Sequence, residues 1–572
     1  MLWKLLKDYS RPYRTPIYIV FALILAQTLA NLSLPSLNAD IINEGVAKGD
    51  TGYVLKVGGY MLLITVVLAV ISVISIYYAA KSSMQMARDL RSDVFKQVLS
   101  FSPAEMDEFG TPSLITRNTN DIQQVQVLIT VGLTMLVSAP ITIIGGVIMA
   151  IRHNLALSSL IAVAIPIMVL IIAVVMKIAI PQFRIVQKRI DRINTVLREQ
   201  ISGVRVIRAF VRDDVERERF AVANTDLMDT QLRINRIFAL SMPVLFFILN
   251  LATVGVVWFG GHLIADGNMQ IGDITAFISY LMQILGSVMM ATMMLILIPR
   301  AAASAERIAE VLNKHSNITS PASIKEFQEV GTIEFRDVTF SYPKAEVPVL
   351  ENVSFKINRG ETTAIIGGTG SGKTTLVNLM IRFLDPSSGS VMINGVDTRE
   401  VEIENLWARI GYVPQRTFIF GDTVAKNVGL GAIDDSDTWQ ALRVAQADVF
   451  VEKLENNIET NVAQGGTDLS GGQKQRLSIA RAIAKKPDIY IFDDCLSALD
   501  AATDAKLRAA LTQETNNATV VIVAQRISSI RNADRILVID EGRIVGNGTH
   551  HELLDNCATY SEIVDSQAEL NV

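Results

Sequence analysis

Cysteine is almost missing: the 572 residues hold two, Cys495 and Cys557. That excludes a disulfide framework or a thiolate metal site as an organising feature. Charge is scarce as well, at 19% of residues, with a slightly acidic balance of −5. Without a basic excess the chain lacks the face that a nucleic-acid partner needs. The N-terminus, Met1-Leu2-Trp3-Lys4-Leu5-Leu6-Lys7, lacks the long apolar core and small-residue cleavage site of a signal peptide. It reads instead as an amphipathic helix lying on a membrane, with Trp3 at the interface and the lysines toward headgroups. No run of acidic residues inside the apolar stretches suggests a proton relay. Energy is therefore expected to come from elsewhere.

What the chain has in excess is apolar length. Half its residues are hydrophobic and the mean hydropathy is +0.34, so a large membrane portion is expected, and the length calls for at least two domains. Six stretches reach the roughly 20 residues that cross a bilayer: Ile17 to Leu37, Val54 to Ala79, Val125 to Ile151, Leu155 to Ile178, Ile237 to Ile264 and Ile274 to Ile298. Pro166 and Pro181 are expected to interrupt or end the fourth. Short connections join the first to the second, the third to the fourth through Arg152-His153-Asn154, and the fifth to the sixth through Asp266-Gly267-Asn268. The other two connections are long and basic. Ala80 to Gln124 carries Lys81, Arg88, Arg91, Lys96 and Arg117, and Pro181 to Arg236 carries a denser arginine set. The positive-inside rule makes the long connections cytoplasmic, with both termini on the same side. Apolar positions such as Leu90, Val94 and Val98 recur at helical spacing, so these connections read as helices reaching about 30 Å beyond the bilayer. They are expected to turn at Phe109-Gly110-Thr111-Pro112 and at Gly203 to Phe210. Gln27, Asn31, Asn38, Asn250 and Gln283 within the spans either bond a neighbouring helix or line a pathway. Met282, Met289, Met290, Met293 and Met294 suit either core filling or a surface that accepts varied apolar ligands.

Asn313 to Gly331 is polar and holds Pro321, the pattern of a linker. The expected organisation is thus a membrane region over 1–312, a linker over 313–331 and an α/β region over 332–572, where short β-branched strands alternate with helices. Within the last region, the apolar run Thr363 to Ile366 leads into Gly367-Gly368-Thr369-Gly370-Ser371-Gly372-Lys373-Thr374-Thr375 and then a helical stretch. This is the spacing of a phosphate-binding loop: glycines let backbone N–H groups turn toward phosphate oxygens, a helix N-terminus adds partial positive charge, Lys373 reaches the β- and γ-phosphates, and the Thr374 hydroxyl can ligate Mg²⁺. A second apolar strand, Ile489 to Phe492, ends in Asp493, where a Mg²⁺-organising acid belongs. Leu469-Ser470-Gly471-Gly472-Gln473 precedes a helix and offers a further set of N–H groups to phosphate.

The order of phosphate loop, Gln415, Leu-Ser-Gly-Gly-Gln, strand with Asp493, Ser497-Ala498-Leu499-Asp500 and Gln525-Arg526 resembles the ATP-binding cassette family. The six spans with long cytoplasmic extensions resemble its exporter branch, as a half-transporter. By that resemblance Tyr342 stacks on adenine, Gln415 contacts Mg²⁺, Ser470, Gly471, Gly472 and Gln473 form the signature that meets ATP held by an opposite cassette, and Asp500 is the cross-dimer aspartate. The cofactors implied are ATP and Mg²⁺, with Thr374, Gln415 and Asp493 toward the metal. Cassettes of the family pair head to tail, so a second half-transporter is required.

Two catalytic positions depart from the family pattern. The residue after Asp493 is Asp494 where glutamate is usual, and the residue before Arg526 is Gln525 where histidine is usual. Asp494 is one methylene short, and Gln525 cannot carry an imidazole's proton. Ala463-Gln464-Gly465-Gly466 also replaces a more usual Gly-Glu-Arg-Gly. The pattern resembles the degenerate-site subunit of bacterial heterodimeric exporters. It implies a multi-pass protein of the inner (plasma) membrane with a cytoplasmic cassette, binding ATP firmly, hydrolysing it poorly, and moving an amphipathic drug-like or lipid-like substrate outward. No protease domain precedes Met1, so the peptide-processing subtype is not expected. The alternatives are a homodimeric flippase or exporter, an exporter-shaped importer, and a non-transport ATPase of the superfamily.

Overall fold

The computed structural model describes residues 1–572 apart from 322, 344, 432, 496–500, 516–517 and 570–572. The chain divides into two compact units, Met1–Leu99 with Gly110–Lys314, and Ser100–Phe109 with His315–Val572.

The first unit is helical throughout. The short helix Leu2–Ser10, which buries Leu2 and Leu5 and leaves Trp3 exposed, opens the first of six long helical segments: Leu2–Val46, Thr51–Leu99, Thr111–His153, Leu155–Ser202, Asp213–Ala265 and Ile271–Asn313. Each is long and apolar enough to cross a membrane. Their outward faces carry exposed Leu62, Val66, Val73, Phe247 and Trp258, side chains suited to lipid rather than water. Inward, Leu32, Leu157, Ile161, Phe277, Tyr280 and Ile284 form a closed core.

One expectation fails here. Pro166 and Pro181 neither interrupt nor end the fourth span, because the helix Leu155–Ser202 runs through both for 48 residues. Each proline removes one backbone donor, and in a long, laterally packed helix the remaining ladder and the neighbouring helices hold the axis. The expected turning points do break the backbone. Gly110 adopts φ 73° between the helices Pro103–Phe109 and Thr111–Thr116, and Gly203 precedes the short helix Val204–Ala209, after which Val211 adopts φ 52°.

The second unit is α/β. Strands β1 (Ile333–Phe340), β2 (Leu350–Ile357), β4 (Ser388–Ile393) and β5 (Val396–Asp397) form a four-stranded antiparallel sheet in the order β2-β1-β4-β5. Strands β3 (Thr362–Gly367), β6 (Ile410–Val413), β7 (Ile489–Asp493), β8 (Thr519–Val523), β9 (Arg535–Asp540) and β10 (Arg543–Gly548) form a six-stranded sheet in the order β10-β9-β3-β8-β7-β6. All of its pairings are parallel except β10 with β9. Both faces are covered, as a parallel sheet requires, and β7 is buried along its whole length. Strands β3 and β7 flank β8, so the ends of β3 and β7 open toward a common edge, the place where open α/β sheets bind ligands.

The ten residues Ser100–Phe109 group with the second, α/β unit although they lie between two long apolar helices in sequence. Glu105, 1% exposed, explains why. Its carboxylate accepts hydrogen bonds from the Ser102 amide (2.8 Å) and hydroxyl (2.5 Å), the Ser316 hydroxyl (3.3 Å) and the Asn317 amide (3.3 Å).

Candidate functional site

Gly367 closes β3, and the turn that follows is shaped by two glycines that nothing larger can replace. A Cβ on Gly367 would stand 2.1 Å from the Ile539 carbonyl oxygen, and Gly372, at φ 103°, would press one against Leu350 at 2.7 Å. The turn delivers the chain into the helix Lys373–Met380, whose N-terminus points at the loop. Lys373 Nζ lies across the loop, donating to the carbonyls of Gly367 (2.9 Å) and Gly368 (2.6 Å). Burial lowers its pKa, opposed by the charges of Asp494 and Asp493. Gly368 and Gly370 have open space where a side chain would be, and Thr369 and Ser371 complete the curl. Thr375 is bonded to Tyr342, with 3.3 Å between the hydroxyls, and Tyr342 is 42% exposed, held edge-on by Phe340 at 5.0 Å. An exposed aromatic ring thus stands beside the phosphate loop.

Asp493 ends β7 at 1% exposure. Burial, then the neighbouring charge of Asp494, pushes its pKa up to about 6, while Lys373 and a hydrogen bond with Thr374 pull the other way. Its Oδ2 has no hydrogen-bond partner among the described residues. A buried carboxylate oxygen left unpaired beside a threonine hydroxyl is a hard-oxygen donor set, and it fits a Mg²⁺ that keeps most of its waters.

Asp494 turns away from strand geometry at φ 48°, its amide bonded to the Val523 carbonyl at 2.9 Å. Its Oδ2 accepts from the side-chain amides of Gln525 (2.7 Å) and Gln415 (3.3 Å). The structure therefore joins three of the expected residues through one carboxylate oxygen. Gln415 is thereby held beside the acid, donating its side-chain amide to Asp494. Sequence reading missed Gln567, whose side chain accepts from the Ile527 amide (2.9 Å) and donates to the Gln525 carbonyl (2.7 Å). It fixes the loop that carries Gln525 from the C-terminal helix Ala558–Glu569, and no motif marks it.

Ser470 and Gln473 close on each other as a reciprocal cap of the helix Gly471–Ala484, with the Ser470 amide 2.8 Å from Gln473 Oε1 and the Gln473 amide 3.3 Å from Ser470 Oγ. Gly471 and Gly472 form its first turn. Among the described residues no hydrogen bond joins this turn to the loop over residues 367–374. Asp500, with Ser497 to Leu499, lies outside the described residues. Cys495 is buried and its thiol pKa is raised by that burial, which makes it inert.

Residues 17–288 match the ABC transporter transmembrane region family, and residues 350–497 match the ABC transporter family of ATP-binding domains. An uncharacterized ABC transporter ATP-binding protein of Mycobacterium tuberculosis is 44% identical over 99% of this chain and 98% of its own. A probable multidrug resistance ABC transporter ATP-binding/permease protein of Bacillus subtilis is 30% identical over 96% of this chain and 94% of its own. A solved bacterial Atm1-family ABC exporter with ATP bound superposes with a TM-score of 0.81, covering 98% of each chain at 22% identity; at that identity the likeness concerns the fold.

Proposed function

We propose a function for this chain from one shown premise: it belongs to the ABC transporter family. It is a multi-pass membrane protein and an ABC-type ATPase coupled to transmembrane transport, with the exporter fold. ABC exporters act as dimers in a bilayer.

The finer reading is that this chain is the unequal half of a heterodimeric exporter of the plasma membrane, its cassette cytoplasmic and its substrate an amphipathic drug-like or lipid-like molecule. ATP sits on the phosphate loop, with Tyr342 against the base and Thr374 and Asp493 toward Mg²⁺, which when bound draws negative charge off the phosphates. Asp493 and Thr374 then hold the metal's side of the site, and Lys373 exchanges loop carbonyls for phosphate oxygens. Ser470 to Gln473 complete the competent site on a second half-transporter whose cassette carries the intact glutamate and histidine.

The observation that carries this reading is the state of Asp494. Its carboxylate is one methylene shorter than the usual base and is engaged by two amides, Gln525 and Gln415, so it stands both retracted and occupied. Positioning a water to within about 1 Å governs phosphoryl transfer, at about 10²-fold per ångström. The purified chain in lipid nanodiscs is expected to bind a fluorescent ATP analogue and to hydrolyse ATP slowly, and to turn over substantially once its partner is added. Robust hydrolysis by the isolated chain overturns the reading in favour of a homodimer.

A further inference from the structure

The membrane unit presents an open cavity of about 630 Å³ lined from the helices Arg14–Asp40, Thr51–Leu99, Val137–His153 and Ile271–Asn313 and the π-helical segment Gly132–Leu136, a size that holds a drug-sized ligand. Among the described residues that line it, none is charged or titratable. Its polarity comes from amides, Gln27, Asn31 and Gln283, and from hydroxyls such as Ser75, Thr134 and Thr142.

The hydrogens of several of these hydroxyls are already spent. Thr134 donates to the Thr130 carbonyl at 3.0 Å, Thr142 to Ser138 at 3.0 Å, and Thr28 to Ile24 at 2.7 Å. Their free lone pairs face the cavity as acceptors. Gln283 Oε1 and Ser75 Oγ are buried and have no partner among the described residues, Ser75 at 2% exposure. With the threonine hydrogens engaged along their own helices, the hydroxyl lone pairs are left as acceptors for donors that an occupant brings. A full charge in the same place would meet no counter-charge and would carry its desolvation cost unrepaid.

We propose that this cavity selects an uncharged amphiphile bearing hydroxyl or amide donors, with Gln283 and Asn31 as the residues that read it. The assignment rests on the transport reading above and narrows its substrate to one chemical class: neutral, donor-rich, with an apolar body packing on Ile24, Leu68 and Met290.

The test uses the full chain in phosphatidylcholine nanodiscs and a diazirine-tagged N-decanoyl-N-methylglucamide, all amphiphiles being kept below their critical micelle concentrations. Photolabelling is expected on peptides of Arg14–Asp40 and Ile271–Asn313. Untagged glucamide should displace the label at least about tenfold better than decyltrimethylammonium or decyl sulfate of the same chain length. Gln283→Leu should weaken labelling about tenfold, and Gln283→Glu should make the trimethylammonium compound the better competitor. Asn31→Asp, at an exposed position, reads the same charge switch should the Gln283 variants fail to fold. Equal or better displacement by either charged analogue, or a selectivity untouched by the Asn31 and Gln283 changes, overturns the proposal. Labelling needs neither partner nor hydrolysis. Its failure therefore leaves the unequal-site reading standing, and turnover by the isolated chain leaves the substrate class standing.

Discussion

At the scale of single residues the nucleotide site turns on one oxygen atom. Asp494 Oδ2 lies 2.7 Å from Gln525 and 3.3 Å from Gln415, and a longer acid with an imidazole in place of the amide would free it to meet water. The double variant Asp494→Glu with Gln525→His is expected to raise steady-state ATPase of the isolated chain by about 10²-fold, each single change by less, because base and proton partner act as a unit. A coupled phosphate-release assay at saturating Mg²⁺·ATP checks this; a double variant no faster than wild type sinks it. The phosphate loop makes a prediction of opposite sign. Gly372 is held at φ 103° against Leu350, so Gly372→Ala should abolish binding of a fluorescent ATP analogue and lower cassette stability by about 1–3 kcal/mol. The loop itself was legible from spacing alone, since its glycines, lysine and threonine are contiguous. The Asp494 contacts were not, because they join residues 79 and 31 positions apart, and linear order gives the residue types but no distances.

Among elements, the segment Ser100–Phe109 is the one whose place the sequence concealed. Helical periodicity shows that a stretch is amphipathic, not which body its face docks on. The determinant is Glu105, a charged residue buried at 1% exposure. Burial alone would raise its pKa, yet hydrogen bonds from Ser102, Asn317 and Ser316 outweigh it and hold the pKa below the usual 4.5. A carboxylate with a depressed folded pKa contributes stability that is complete above the unfolded value and is lost as pH falls through the folded one. Hydrogen exchange of the Ser102 and Asn317 amides, the two backbone donors, should therefore be strongly protected relative to intrinsic rates near neutrality and lose that protection as pH falls below 4.5. Glu105→Gln should accelerate it at pH 7, at a cost of about 1–3 kcal/mol. Exchange unaffected by the substitution would remove Glu105 as the anchor. The long helices were easier to read, since six apolar runs of bilayer length leave little choice. Only the prolines misled: propensity measured in water overstates what one missing donor does to a helix packed along its length.

For the whole molecule, the separation of the signature from the phosphate loop makes a pairing prediction that a single substitution can isolate. Ser470 and Gln473 satisfy each other, and a Cβ built on Gly471 meets nothing within 4 Å. A side chain there costs the fold of this chain little, yet it would stand where helix-turn N–H groups have to approach a phosphate. Gly471→Asp should leave the isolated chain's unfolding temperature and its own ATP binding unchanged. In the reconstituted pair it should lower turnover at least about 10²-fold, through like-charge repulsion of the triphosphate at the composite site. On the proposed unequal-halves reading, the matching substitution in the partner's signature faces this chain's own loop instead, and should reduce turnover far less. That asymmetry distinguishes unequal from equal halves: two signatures of equal importance mean two equivalent sites, and then Asp494 and Gln525 have no special consequence. A large loss from Gly471→Asp beside a small one from its counterpart means that most hydrolysis occurs where this chain lends its signature, while its own phosphate loop mainly holds the nucleotide.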